Sequence, residues 1–291
     1  MRHLFVTDLD GTLLGNDSRV SPRSASIITD LSRQGALISV ATARTPATVE
    51  PLLSYTHTTI PAIVMTGAAM WDRFDRRYLH AKLFSQMDVP EVVGEFLRMG
   101  VNPFVYTLGS DGQMKVFHNG KMNKHEEYFY HDRRKLKLKR FILDLPEGYD
   151  YPFPPTLLIL GIGATPHIEA IAAELRKRPE LSVSAYPDIF NPEFSFIEVF
   201  DAGVSKAGAL LTLKKMVKAD RVTVYGDNLN DLPMFAVADE AVAVENACPQ
   251  VKEAASRVIG PNIADSVALD IAEQLEATST CRPELSDDRQ E

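Results

Sequence analysis

Only two cysteines occur in 291 residues, Cys248 and Cys281. So low a count argues against a disulfide framework and fits a reducing, cytoplasmic compartment. No apolar run approaches the roughly 20 residues needed to span a bilayer, so no membrane anchor is expected. Positive charge is not in excess either. The net charge of −8 argues against a general affinity for nucleic acid or an anionic membrane. No secretory leader is expected, because charged residues arrive within the first ten positions. There is no internal repeat, and nothing sets an oligomeric state. What remains is ordinary globular composition, 45% hydrophobic and 24% charged, in a chain long enough for one large domain or two.

The amino-terminal third alternates apolar runs with amphipathic stretches. Leu4 to Thr7 is predicted as a buried strand. Ser21-Pro22 supplies a cap and a proline at the first helical position, and Ile27, Ile28 and Leu31 carry a helical stripe to a stop at Gln34-Gly35. Leu37 to Ala41 and Ala62 to Met65 are predicted as further strands, with a helix opened by Thr45-Pro46 between them. Such alternation implies a parallel sheet covered on both faces.

From about Phe84 to Pro187 the pattern changes to hairpin-like strands with polar turns at Leu108 to Gly112 and His118 to Gly120. Lys135 to Lys139 alternates with period two and predicts a half-exposed strand. Thr156 to Ile162 predicts a strand, Gly161-Ile162-Gly163 a turn, and Ile168 to Leu175 a helix. Alternation then resumes through strands at Phe196 to Val199, Val222 to Tyr225 and Ala241 to Val244, with a helix capped by Ser205. The expected architecture is α/β: a Rossmann-like, doubly wound parallel core from residues 1–83 and 188–276, an α+β unit inserted as 84–187, and a flexible tail at 277–291.

Chemistry concentrates at predicted strand ends. Asp8-Leu9-Asp10-Gly11-Thr12 follows the first strand, Thr42 and Arg44 the second, and Gly226-Asp227-Asn228-Leu229-Asn230-Asp231 a later one. Lys206 opens the helix capped by Ser205. In a parallel sheet such ends share one edge, where open α/β folds bind ligands. Two adjacent carboxylates repel unless a cation or a proton intervenes, and hard oxygen ligands favour magnesium. A lone Asp-x-Asp-Gly would be an ordinary turn. Four such places together supply a nucleophile, metal ligands and phosphate-neutralising donors.

The combination resembles the haloacid dehalogenase superfamily of phosphatases, and the insertion between Thr42 and Lys206 resembles the type IIB cap of its Cof-type subfamily. The resemblance covers about Arg2 to Gln274. It implies that Asp8 is the nucleophile that forms an aspartyl phosphate and that Asp10 is general acid, then base. Asp8, Asp227, Asp231 and the main-chain carbonyl of Asp10 would serve a Mg2+ site. Thr42 and Lys206 would contact the phosphate, with Arg44, Asn230 and Thr66 as further substrate contacts. Thr66 stands where Cof-type chains usually have asparagine, and Ala207 where glycine is common. The implied activity is magnesium-dependent hydrolysis of a small phosphorylated metabolite, a sugar phosphate being the usual case. A phosphomutase would use the same residues, and a phospho-accepting or binding protein is the non-enzymatic alternative. The basic segment Arg133 to Arg140 is expected as the exposed face of a strand.

Overall fold

The computed structural model describes residues 2–85, 88–143, 155–188 and 191–280. The expected tail falls largely outside them. In chain order the structure begins with β1 (His3–Thr7), α1 (Pro22–Arg33), β2 (Leu37–Val40), α2 (Pro46–Leu52), β3 (Ala62–Val64), β4 (Ala69–Asp72) and β5 (Arg77–Leu79). There follow α3 (Asp88–Arg98), β6 (Phe104–Leu108), β7 (Met114–His118), α4 (Lys124–Arg133), β8 (Lys139–Leu143), β9 (Thr156–Ala164), α5 (Thr165–Leu175), β10 (Leu181–Pro187) and β11 (Phe194–Asp201). The chain closes with α6 (Lys206–Met216), β12 (Arg221–Gly226), α7 (Leu232–Phe235), β13 (Glu240–Ala243), α8 (Pro249–Ala254), β14 (Arg257–Val258) and α9 (Ser266–Thr280). It divides into two compact units, one of Met1–Thr42, Leu52–Ala62 and Leu210–Glu291, the other of Ala43–Pro51 and Ile63–Ala209.

The first unit is built on a parallel sheet of order β14-β13-β12-β1-β2. β1 is buried along its length, as its continuous apolar run requires of a strand covered on both faces. Its register places Thr7 beside Tyr225 on one neighbour and Val40 on the other. Consecutive strands run outward from β1 to β2, and from β12 through β13 to β14, in opposite directions. The strand order therefore reverses between β1 and β12, and a crevice opens outside their carboxyl ends. Ser21 caps α1 as expected, its Oγ accepting the Ser24 N–H at 3.0 Å, and α1 packs against α9.

The second unit holds a six-stranded sheet, β10-β11-β9-β6-β7-β8. Its neighbours are antiparallel except β7 and β8. Phe96, Ile168 and Ile171 of α3 and α5 pack on Val105, Ile159 and Ile197 from one sheet face.

Four expectations are corrected here. Phe196 to Val199 is a strand, but it belongs to this antiparallel sheet, because apolar alternation marks a strand without saying which sheet pairs it. The run from Ala62 joins a separate sheet, β3-β4-β5; positive φ at Met65 and Thr66 (52° and 57°) ends it and turns the chain into β4. Gly161 and Gly163 lie inside β9 rather than in a turn. A Cβ on Gly161 would sit 2.4 Å from Phe96 Cε1, so glycine here admits α3 to the sheet. Finally, Lys135 to Leu138 is not strand. Leu138 has φ 71°, β8 starts only at Lys139, and Lys139 is 9% exposed, so the basic segment is not the exposed face of a strand.

Candidate active site

The acidic motif after β1 occupies the crevice end of the parallel sheet. Asp8 is buried, and its N–H donates to the Tyr225 carbonyl at 3.0 Å, which continues the β1–β12 ladder by one residue. The chain then turns sharply through Leu9–Leu13. Gly11 adopts φ +78°, and a Cβ there would meet Asp227 Oδ2 at 2.4 Å. The glycine of the motif thus serves both a left-handed turn and the close approach of a carboxylate. Thr12 Oγ1 donates to Asp227 Oδ1 at 2.9 Å.

The loop after β12 is ordered by its own acid. Asp231 is fully buried, and its Oδ2 accepts the N–H groups of Asp227 at 3.0 Å and Asn228 at 3.1 Å. Gly226 has no side chain to obstruct this; a Cβ there would lie 2.7 Å from Asp231 Cβ. Further along the unit, the Tyr225 hydroxyl donates to Asp270 Oδ2 at 2.8 Å, and Arg257 donates both terminal nitrogens to the same carboxylate. Burial opposes the Asp270 charge, but these bonds outweigh it and hold the carboxyl below its ordinary range. They fix β12, and with it the position of Asp227.

Carboxylate oxygens of Asp8, Asp227 and Asp231 lie within 4.8 Å of one another. Three carboxylates so close are unfavourable without a compensating cation. Hard oxygen donors around a rigid, glycine-lined turn fit magnesium. Asp10 is exposed and lies outside this cluster. Thr42, just past β2, is buried, and Asn230 is exposed.

Lys206, Arg44 and Thr66 belong to the second unit. The Arg44 carbonyl accepts the Met65 N–H at 3.0 Å. Gly67, at φ +96°, passes so near Ser205 that a Cβ would lie 2.3 Å from its carbonyl oxygen. Ser205 Oγ accepts the Gly208 N–H at 3.0 Å and caps α6. Three expected positions are thereby gathered. Lys206 is only 1% exposed, which is not the setting of a solvated helix-start lysine.

Two residues escaped the sequence argument. Thr12 stood inside the quoted motif without a role. Asn246, just beyond the end of β13, donates its Nδ2 to the Gly11 carbonyl at 2.7 Å; its position after a strand end was the available signal.

A family model described as haloacid dehalogenase-like hydrolase matches residues 5–271. Among curated proteins, the chain is 26% identical over 272 residues to the 5-amino-6-(5-phospho-D-ribitylamino)uracil phosphatase YcsE of Bacillus subtilis, with 91% of this chain and 92% of that protein covered. It is 24% identical over 261 residues to the HMP-PP phosphatase of Serratia proteamaculans, with 87% of each covered. Among solved structures, a haloacid dehalogenase-like hydrolase from Bacteroides thetaiotaomicron superposes with TM-score 0.75 at 20% identity, over 94% of this chain and all of that one.

Proposed function

Since the chain belongs to the haloacid dehalogenase-like hydrolases, we propose that this phosphatase removes phosphate from a small phosphorylated metabolite through an aspartyl-phosphate intermediate on Asp8. The clustering of the Asp8, Asp227 and Asp231 carboxylates within 4.8 Å is the observation that carries the reading. Asp8 attacks phosphorus. Asp10 protonates the leaving oxygen and then takes a proton from the water that releases phosphate, a role worth about 10²–10⁴-fold in rate. Thr42 donates to the phosphoryl oxygens, and Lys206 balances charge on nucleophile and phosphate. Asp231 holds the loop that carries Asp227, and Thr12 orients the Asp227 carboxylate. Magnesium, held by Asp8, Asp227, Asp231 and the main-chain carbonyl of Asp10, would neutralise phosphoryl oxygen charge. Residues 84–187 are assigned as a cap that excludes bulk water.

The two curated relatives are named for different phosphate esters. A broad metabolite screen is therefore the route to the substrate, with sugar phosphates tried first. The reaction itself is tested with p-nitrophenyl phosphate, with magnesium and then with chelator. Metal-dependent phosphate release that vanishes in a folded Asp8→Ala protein supports the proposal. Substantial turnover by Asp8→Ala would refute the nucleophile assignment. A phosphorylated isomer formed without free phosphate would make the enzyme a mutase.

A further inference from the structure

The backbone angles of Asp10 (φ −74°, ψ 119°) and Gly11 (φ 78°, ψ −4°) are those of the central pair of a type II turn. Asp10 holds the first of those positions and is exposed there. Where its carboxyl points depends on how the peptide after it is held. The Gly11 carbonyl accepts Asn246 Nδ2 at 2.7 Å. The Asn246 amide is itself oriented, because its Oδ1 accepts the Asn262 N–H at 3.0 Å. A main-chain N–H can only donate, so it fixes which end of the amide is oxygen and leaves the nitrogen for Gly11. Asn262 then returns to the acidic motif, its Nδ2 donating to the Leu14 carbonyl at 2.7 Å. The segment that carries Asn246 also grips the second acidic loop. Val244 N–H donates to the Gly226 carbonyl at 3.4 Å, and Cys248 N–H to the Asp227 carbonyl at 3.0 Å. All of these residues belong to the first compact unit.

We propose that Asn246 is a positioning residue for Asp10, pinning the turn so that the carboxyl is presented to the oxygen that leaves phosphorus. The inference rests on the phosphatase reading. In that reaction the Asp8 carboxylate bonds to phosphorus, the ester P–O bond breaks, and the Asp10 proton goes to the departing oxygen. The approach of Gly11 to Asp227 limits where the turn can go, but it does not hold the Gly11 carbonyl in a direction. Asn246 supplies that direction, and its own loop is tied to Asp227. The acid and the metal-binding carboxylate are thereby placed relative to each other. An acid displaced by about 1 Å loses most of its advantage.

The test compares kcat/KM, which reports formation of the aspartyl phosphate, for p-nitrophenyl phosphate and phenyl phosphate at saturating magnesium. Nitrophenolate departs readily without a proton, whereas phenolate depends more on Asp10. Asn246→Ala should lower the phenyl phosphate value about tenfold, as loss of one directional hydrogen bond allows, and the p-nitrophenyl phosphate value only about twofold. An Asp10→Asn background has no acid left to aim, so there Asn246→Ala should add less than about twofold on phenyl phosphate. Equal losses on both esters would reduce Asn246 to a structural contact and overturn the proposal. So would an undiminished further loss in the Asp10→Asn background, or parent-like rates on phenyl phosphate. If Asn246→Ala does not fold, Asn246→Asp decides by the same ratio, because it keeps the shape and the Asn262 contact and loses only the donor. Substantial turnover by Asp8→Ala would overturn the phosphatase reading and this inference with it. An enzyme that needs Asp8 while Asn246→Ala shows no dependence on the ester fails this inference alone.

Discussion

Replacing Gly11 with alanine separates a backbone cost from an active-site cost. The residue sits at φ +78°, so any side chain carries a left-handed penalty of about 1–2 kcal/mol. The alanine methyl would also fall 2.4 Å from Asp227 Oδ2 and 2.9 Å from its Cγ. The carboxylate cannot simply swing away, because Thr12 holds its other oxygen at 2.9 Å. Breaking that bond would cost a further ~1 kcal/mol. The expected outcome is a modest loss of stability with a much larger loss of metal affinity, about 10–100-fold in the magnesium needed for half-maximal activity, as when a supporting contact of a metal ligand is lost. Gly35→Ala is the control. Gly35 has φ +97° with nothing within 4 Å of the added methyl, so it carries the backbone cost alone. Rates of p-nitrophenyl phosphate hydrolysis across a magnesium series, with thermal melts in chelator, report the two quantities separately. A Gly11→Ala enzyme whose magnesium curve matches that of Gly35→Ala would refute the placement of Asp227 against this turn.

Asp10→Asn should slow turnover by about 10²–10⁴-fold and leave a phosphate-bearing protein visible by intact mass, because water activation is impaired. Gly161→Ala should destabilise the protein by about 1–3 kcal/mol without touching the acidic cluster, since its methyl would meet Phe96 Cε1 at 2.4 Å and Ile197 Cγ2 at 2.9 Å; an unchanged denaturant midpoint would contradict this. Stability should also dip near neutral pH. Glu198, raised from 4.5 to about 7, favours its protonated folded form, so its contribution is lost as pH rises through that window. Lys139, lowered from 10.5 to about 7, favours its neutral folded form, so stability returns as pH rises above 7. Glu198→Gln should flatten the acid limb of this profile and Lys139→Met the alkaline limb; identical profiles in the parent and both variants would refute the attribution to these two groups.

Much of the parallel core could be inferred from local pattern alone. β1 centres on the apolar run Leu4 to Val6, β12 on the β-branched and aromatic run Val222 to Tyr225, and Ser21-Pro22 carries its own helix start. Their neighbours in space, however, are set by register, which one strand's sequence does not encode. Phe196 to Val199 illustrates the limit: its alternation fits a strand of either sheet, and only its pairing with β9 and β10 assigns it. Lys135 to Lys139 illustrates the converse. Five alternating residues satisfy the strand template, yet a single left-handed residue, Leu138, holds all but the last outside the sheet. Local periodicity is weak evidence over so short a span.

At the candidate site the legible residues are those whose chemistry is carried by charge. Asp8, Asp227 and Asp231 stand out because carboxylates at strand ends have few uses. Thr12 and Asn246 do not stand out, because a hydroxyl or an amide at a turn has many. Their contribution lies in which atom they reach: the Asp227 carboxylate for one, the Gly11 carbonyl for the other. The same asymmetry explains Gly11 and Gly226, whose importance is the space they leave to an acid, Asp227 from a distant stretch for the first and Asp231 of the same loop for the second. Gly11 fits against Asp227 of the other acidic loop, and Gly226 against Asp231 of its own, so one glycine lets the two loops approach and the other lets the second loop close on its own acid. Metal affinity should therefore respond to substitution of these silent neighbours nearly as strongly as to substitution of the carboxylates themselves.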